Sequence, residues 1–380
     1  MKTRNKVNSK IFTGLAAIMV TLSQAWAGNF ASDFNSGLPN GSRVFGNALV
    51  ANSGGRENSG ALRLTASSRG QQGSWVLDDL DGGAVIGSFT ARFKLRIGGG
   101  TGAEGLSFNF APDLPNASFG VDGAGLGLTI SFDSFNNGTE DAPAIVVRFR
   151  GAKIASKRLS PRTGDGFQDV VIRVKEDGTL DLTFGSTTVF TNLFAYAPVF
   201  GRFGLGARTG ILTDNHLVDD FSVTTVPAAA PYVKSFSPSG LDVQAGLPLT
   251  IVIKDFNGTV NPATIRLELN DGAITPTVSK NADETTLQYQ PPSLLPSKSV
   301  NSVKLIYGTL ASSPQIPGLP QSITARFDFT VSSYSVIPAR FAVSSNLVDL
   351  AKPGFEVRMV QASQTPVLAP TVARAEAQLN

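Results

Sequence analysis

The chain has 380 residues, with 39 Gly, 22 Pro, 25 Phe and no Cys. The absence of Cys excludes a disulfide framework, a thiol nucleophile and a Cys-ligated zinc site. Residues 1–27 contain four of the 32 basic residues and none of the 29 acidic ones, so the remainder has 28 basic against 29 acidic residues and no bulk electrostatic basis for binding nucleic acid.

The length predicts two domains with additional segments. Between the N-terminal segment and the C-terminal tail, no long stretch has the 3.6-residue period of an amphipathic helix, and short apolar runs alternate with Gly- and Pro-rich turns. We therefore predict an all-β protein.

Residues 1–27 have the features of a secretory signal peptide. A basic segment containing Lys2 and Lys10 precedes an apolar run from Ile11 to Leu22, which is short for a membrane span. Ala25-Trp26-Ala27 fits an A-x-A cleavage site, so the mature chain is predicted to begin at Gly28 and to be extracellular, cell-surface or periplasmic.

Residues 88–97 carry the clearest strand pattern of the N-terminal half. Phe89, Phe93 and Ile97 alternate with Thr90, Arg92 and Arg96, which predicts one face towards a core and one towards solvent. The basic residues of this strand are interpreted as a solvated sheet face.

Residues 125–145 combine a strand with a run of oxygen-bearing side chains. Leu126, Leu128, Ile130 and Phe132 recur at period two and predict one apolar face. The oxygen-bearing residues that follow are Asp133, Asn136, Asn137, Thr139, Glu140 and Asp141. Ca²⁺ takes roughly 6–8 oxygen ligands, and this loop offers several. Asn136-Asn137-Gly138 equally fits a simple turn, because Asn and Gly tolerate positive φ, and spacing alone leaves both interpretations open.

Three segments, in order, resemble the L-type lectins, which include the legume seed lectins and the mannose-binding cargo receptors of the early secretory pathway. These segments are Gly102–Phe108, Phe132–Asn137 with Pro143–Ile145, and Thr209–Val218. The resemblance covers about residues 29–225. It implies a concanavalin A-like jelly-roll sandwich over residues 28–225, closest to the cargo-receptor type.

The resemblance also implies a set of site residues. The calcium ligands would be Asp133, the Phe135 carbonyl, Asn137 and Asp141. The carbohydrate-binding groups would be Glu104, Asn137 and the backbone of Gly210, Ile211 and Leu212.

The chain departs from the family pattern at four positions. Glu104 replaces an Asp, and Ile211 replaces a Gly, which would either narrow the pocket or supply an apolar platform. Ser131 and Ala144 replace the Glu and His that help plant members bind a transition metal, so none is expected here.

The rest of the chain predicts a second module. Residues 226–231 read as a linker, and residues 232–332 contain strands at the spacing of a β-sandwich that resembles the immunoglobulin-like modules of bacterial surface proteins. Residues 333–380 show no strong pattern and are expected to be a partly disordered tail.

Two functions remain open from the sequence: an exported carbohydrate-binding protein, or a structural or adhesive surface protein without a sugar site. A glycoside hydrolase would need a pair of suitably placed carboxyl groups, about 5–5.5 Å apart in retaining enzymes. Glu140 and Asp141 are adjacent, so on a strand they would point to opposite faces, and we expect no enzymatic activity. The partner is expected to be a glycan.

Overall fold

A computed structural model describes residues 27–136, 138, 142–310 and 322–335, together with the backbone of 355–357 and 375–377. Within these ranges the regular elements are β-strands, apart from one short 3-10 turn at Arg56–Asn58. The predicted all-β class is therefore confirmed. In the same ranges, no helix has the length and apolar composition needed to span a bilayer. The predicted signal peptide up to residue 26 lies outside the described residues.

The first β-sandwich contains fifteen strands in two antiparallel sheets. In chain order they are β1 Asn29–Ser32, β2 Ser42–Gly46, β3 Leu49–Ala51, β4 Ala61–Thr65, β5 Gln72–Leu77, β6 Ile86–Gly98, β7 Gly105–Ala111, β8 Leu128–Asp133, β9 Ala144–Phe149, β10 Ala152–Arg158, β11 Gln168–Val174, β12 Thr179–Phe184, β13 Thr187–Phe194, β14 Arg202–Arg208 and β15 Asn215–Pro227. The back sheet is ordered β13–β12–β11–β6–β15–β4–β3, with β1 also paired to β15, and the front sheet β10–β9–β8–β7–β14–β5–β2. This arrangement confirms the predicted sandwich architecture.

The alternation predicted for residues 88–97 is confirmed in β6. Phe89, Phe93 and Ile97 are at most 2% exposed and pack into the core between the sheets, whereas Arg92 is exposed on the outer face. Because β6 pairs with both β11 and β15, it fixes the centre of the back sheet.

The prediction for β8 is confirmed except at its start. Leu128, Ile130 and Phe132 are fully buried, but Leu126 is 62% exposed and precedes the strand. The backbone N–H of Leu126 donates to Asp113 Oδ1 at 2.6 Å, which holds this residue in a loop rather than in the sheet. The period-two pattern therefore predicted that the strand begins at Leu126, whereas β8 begins at Leu128.

The strap, defined here as residues 112–127, covers the outer face of the front sheet. Leu114 and Phe119 of the strap pack against Val76 in a small second core. A Cβ at Gly206 would lie 2.3 Å from the Phe119 ring, so glycine is what allows this close approach. The Ser107 hydroxyl donates to the Gly120 carbonyl at 2.7 Å and ties the strap to β7.

The second sandwich contains nine strands. They are β16 Tyr232–Ser237, β17 Gly240–Val243, β18 Leu249–Lys254, β19 Val260–Leu269, β20 Gly272–Ile274, β21 Thr277–Asn281, β22 Glu284–Tyr289, β23 Val300–Thr309 and β24 Ile323–Val331. One sheet is ordered β16–β18–β22–β21, the other β17–β24–β23–β19–β20, and β17 runs parallel to β24. The immunoglobulin-like assignment and the domain boundaries stay predictions.

The two sandwiches are in contact. Phe194 of the first packs on the core of the second, and a Cβ at Gly240 would lie 2.5 Å from the Lys153 carbonyl oxygen. Beyond residue 335, the described backbone forms one pair of short strands, β25 Phe355–Val357 and β26 Ala375–Ala377. The rest of the predicted tail from residue 336 lies outside the described residues.

Candidate metal and glycan site

The register of the front sheet brings two of the three family-like segments together. Gly105, the first residue of β7, lies opposite Asp133, the last residue of β8. The backbone N–H of Ser134 donates to the Glu104 carbonyl at 2.9 Å, and the Ser134 hydroxyl donates to the Ala103 carbonyl. Glu104 and Asp133 are therefore held side by side by main-chain pairing.

The third segment reaches the same place through β14. Arg208, at the end of β14, pairs with Gly105 of β7, and the chain then continues into residues 209–214. A Cβ built on Gly210 would lie 2.6 Å from Glu104 Oε1, so the glycine backbone comes close to this carboxylate. Three segments that are distant in sequence thus meet at one end of the front sheet.

Asp133 is the electrostatically unusual group of this cluster. Burial raises the pKa of its carboxyl to about 6, and the charges of Asp122 and Glu104 add to the increase. The Phe135 N–H, which donates to Asp133 Oδ1 at 3.0 Å, and the Arg148 charge oppose it. The half-buried carboxylate therefore lies in a negative environment that a cation would relieve.

The donor types fit a hard cation in part. The Asp133 carboxylate and the Phe135 carbonyl are oxygen donors of the kind that Ca²⁺ prefers. The other two predicted ligands, Asn137 and Asp141, lie outside the described residues. In the described ranges, no group of three or more His, Cys, Asp or Glu side chains is arranged to hold a metal. The four-residue ligand set stays a prediction.

Two positions near β8 carry no metal-ligating side chain in this chain. The Ser131 hydroxyl accepts a hydrogen bond from Arg148 Nη1 at 3.1 Å, and Ala144 is fully buried in β9. These are the positions where the plant pattern has Glu and His. The expected absence of a transition metal stays a prediction.

Glu104 has an ion-pair partner that the sequence did not reveal. Arg208 donates from Nε and Nη2 to Glu104 Oε2, at 3.1 and 2.6 Å, and its Nη2 lies 3.8 Å from Asp122 Oδ2. Oε1 is the Glu104 oxygen that faces Gly210. No spacing rule pointed to Arg208, because the pairing depends on the register between β7 and β14.

Two apolar residues at the start of the third segment face solvent. Ile211 is 78% exposed and Leu212 is 38% exposed. This exposure favours an apolar platform over a narrowed pocket, the two alternatives that the sequence left open for Ile211.

Asp214 anchors the loop that carries Glu104 and was also missed by the sequence prediction. It is fully buried, and its two carboxylate oxygens accept hydrogen bonds from the N–H groups of Gly100 and Ala103 at 2.9 and 3.0 Å. The Arg162 Nε and Nη2 atoms donate to the same carboxylate at 3.1 Å each. Asp214 therefore joins the first and third segments.

His216, the single histidine of the chain, lies in the core behind this loop. It is fully buried, and its Nδ1 is hydrogen-bonded to the Thr65 hydroxyl at 2.6 Å, while its Nε2 has no partner among the described residues. Burial lowers its pKa to about 4, against a smaller opposing effect of Asp214. This supports the structural role predicted for His216.

The depressed pKa of His216 predicts an acid-sensitive fold. The unfolded chain binds this proton near pH 6.5 and the folded chain near pH 4, so the stability that neutral His216 contributes is present above pH 6.5 and lost as the pH falls through 4. The loss is expected to reach about 3 kcal/mol. Urea denaturation of wild type and His216→Gln across this range measures it, and the variant should show the shallower pH dependence.

Because the chain has one histidine, NMR can measure the pKa of His216 directly. A single imidazole resonance titrates in the NMR spectrum of the folded protein, and its midpoint should lie well below that of an exposed histidine. A midpoint near 6.5, or identical pH dependence of stability in the two proteins, would contradict this reading.

Comparison with known proteins identifies similar structures but no family. No protein-family model matches the chain, and no curated protein matches it. Among solved structures, the VIP36 exoplasmic/lumenal domain with Ca²⁺ and Man3GlcNAc bound is 18% identical over 51% of this chain and 86% of its own, with a TM-score of 0.41. The Emp47p carbohydrate recognition domain is 18% identical, and the match covers 53% of this chain and 96% of that domain, with a TM-score of 0.43. Lectin UEA-II complexed with galactose is 19% identical, and the match covers 53% of this chain and 98% of that lectin, with a TM-score of 0.37. The structural neighbours are thus L-type lectins at low identity, and at these TM-scores the likeness assigns no function to this chain.

Proposed function

We propose that this chain is an exported carbohydrate-binding protein with a calcium-shaped glycan site at the Asp133 end of the front sheet. The observation that carries the proposal is the meeting of three family-like segments at one place. Gly105 is paired with Asp133, and Gly210 approaches Glu104 Oε1. Glycan binding needs several polar groups that converge from a rigid scaffold, and this end of the sheet supplies them.

The predicted site residues divide into ligands of the ion and groups that contact the sugar. Asp133, the Phe135 carbonyl, Asn137 and Asp141 would hold the ion, and bound Ca²⁺ would supply preorganisation of their loop. Glu104 would accept hydrogen bonds from sugar hydroxyls through Oε1, because Oε2 is engaged by Arg208.

The loop of the third segment would complete the proposed site. The backbone N–H groups of residues 210–212 would donate to sugar hydroxyls, and Gly210 permits their close approach to the ligand. Asn137 would contribute its amide beside the ion. The exposed Ile211 side chain would give one apolar wall.

A structural or adhesive role without sugar binding is the second candidate. The bond from Arg208 to Glu104 favours it, because it occupies one of the two carboxylate oxygens that the family resemblance assigns to sugar. Glycan-array binding of the mature chain with and without EDTA separates the two roles. Binding that EDTA abolishes supports the lectin, whereas no glycan bound under either condition supports the structural role.

Glu104→Gln tests whether Glu104 contributes to glycan binding. The substitution keeps the shape and removes the charge, so the affinity for the bound glycan is expected to fall by roughly 10- to 100-fold, the range for a lost hydrogen bond to a charged group. Isothermal titration calorimetry measures it. The matched control is Asp78→Asn, which alters an exposed carboxylate–arginine pair with Arg43 elsewhere in the sandwich. Equal glycan affinities for both variants and wild type would show that Glu104 does not contribute to binding.

A further inference from the structure

A cavity separate from the site at Asp133 lies on the outer face of the back sheet. It is a groove of about 430 Å³, within the range of roughly 300–1,000 Å³ typical of ligand pockets. Its floor is formed by Lys94 and Arg96 of β6, and its two walls by residues 55–57 and 165–169. None of these residues belongs to the site at Asp133.

The floor places paired charges at fixed positions. Lys94 Nζ lies 2.6 Å from Asp169 Oδ1, and Arg96 Nη2 lies 3.0 Å from Asp165 Oδ1. The two basic side chains are mostly covered, at 18% and 21% exposed, whereas the two carboxylates are 71% and 90% exposed. Arg96 Nε is buried without a hydrogen-bond partner among the described residues. Because β6 is hydrogen-bonded on both sides, the floor is rigid.

The first wall is a strained turn held by a buried carboxylate. Glu57 has a φ of 55°, in the left-handed region that Gly and Asn adopt readily but Glu does not. Asp219 is 2% exposed, and its Oδ2 accepts hydrogen bonds from the Arg56 N–H at 2.8 Å and from the Ser59 hydroxyl at 3.1 Å. Strain of this kind persists only where the surroundings enforce it, often at binding sites.

The second wall is pinned to the end of β6. The N–H groups of Thr163 and Gly164 both donate to the Ile97 carbonyl, at 2.9 and 3.2 Å. A Cβ at Gly98 would lie 2.0 Å from the Gly164 carbonyl oxygen, so this contact requires glycine. The chain then continues to Phe167, which is partly buried and lines the groove. Both walls are therefore formed before a ligand arrives.

The lining selects the chemistry of the ligand. Three cations, Arg56, Lys94 and Arg96, are matched by three carboxylates, Glu57, Asp165 and Asp169, so the groove is neutral overall. An anion would meet the carboxylates, and an apolar ligand would leave paired charges desolvated. Neighbouring hydroxyls can accept from the cations and donate to the carboxylates, while the Phe167 ring offers an apolar face.

We propose that this groove is a second saccharide site, for a neutral oligosaccharide, and that it binds without calcium. The chain then holds glycan on the outer face of the back sheet as well as at the Asp133 end of the front sheet. The proposal is independent of the calcium site, since it uses neither Asp133 nor Glu104.

The test uses the mature chain in EDTA. The probes are neutral trisaccharides of mannose, glucose, galactose and N-acetylglucosamine, with trigalacturonate as the anionic comparison. At least one neutral probe is expected to bind by calorimetry and to slow hydrogen exchange in peptides covering residues 55–58 and 163–169. Asp165→Ala/Asp169→Ala changes two exposed side chains and should weaken this binding roughly tenfold or more.

The matched control is Asp283→Ala, an exposed carboxylate paired with Lys254 in the second sandwich, which should bind as wild type does. The proposal is overturned if no neutral probe binds in EDTA, if trigalacturonate alone binds, or if the protected peptides lie outside the groove. It is equally overturned if the double variant, shown to be folded by its thermal transition, binds like wild type. Loss of calcium-dependent binding at the other site would leave these outcomes unaffected.

Discussion

Asp214→Ala is expected to lower the free energy of unfolding by about 2–4 kcal/mol, because it leaves two covered backbone N–H groups without an acceptor, at roughly 1–3 kcal/mol each. The substitution removes the acceptors of the Gly100 and Ala103 N–H groups and of the Arg162 guanidinium. Because Ala103 precedes Glu104, the variant should also lose glycan binding. Urea denaturation and calorimetric glycan titration measure the two effects.

The matched control is Asp78→Ala, which breaks a carboxylate–arginine pair with Arg43 in which both side chains are exposed. Exposed pairs contribute about 0–1 kcal/mol, so this variant should unfold nearly as wild type does. A loss below about 1 kcal/mol for Asp214→Ala would show that the buried carboxylate does not hold the loop together.

Asp133→Asn is expected to abolish stabilisation by calcium. For wild type, calcium at about 100 times its dissociation constant should raise the free energy of unfolding by about 2.7 kcal/mol, as for any ligand that binds only the folded state. The variant should show no such increase, because it removes one of the two carboxylate charges of the proposed ligand set, and the number of charged ligands tunes Ca²⁺ affinity. Thermal denaturation with calcium and with EDTA measures the difference.

Without metal, the same variant should be slightly more stable than wild type. The pKa of the Asp133 carboxyl is raised to about 6 from 3.8, so its charge disfavours the folded state, fully above pH 6 and not below pH 3.8. Since the group is half-buried and screened by solvent, the gain at pH 7 should be about 1 kcal/mol. Asp122→Asn, in the same cluster but 75% exposed, is the control and should retain the calcium effect. Calcium stabilising Asp133→Asn as it does wild type would exclude this carboxylate as a ligand.

Local periodicity was enough to predict the all-β class and single strands, whereas the jelly-roll sandwich was implied by the family resemblance. The alternation of Phe89, Phe93 and Ile97 defined the central strand of the back sheet, because the side chains of a half-buried strand must alternate between core and solvent. The same reasoning failed at Leu126, where a period-two position belongs to a loop bonded to Asp113. Period alone does not tell where a strand begins.

The polar anchors of the site could not be predicted in the same way. Arg208 meets Glu104 across 104 positions of sequence, and Arg162 meets Asp214 across 52. Such pairs depend on strand order and register, which local patterns do not specify. The family resemblance singled out Glu104, Asp133 and Gly210 as candidates, but the Arg208 partner of Glu104 and the exposure of Ile211 emerge only from the structure.

The central claim is that an ion at Asp133 shapes the site, and calorimetric titration of the EDTA-treated, dialysed protein with Ca²⁺ tests it most directly. We expect one saturable binding event per chain in wild type and none in Asp133→Asn. An absence of binding heat in wild type, together with no shift of its thermal transition on adding calcium, would contradict the claim, as would an undiminished event in the variant.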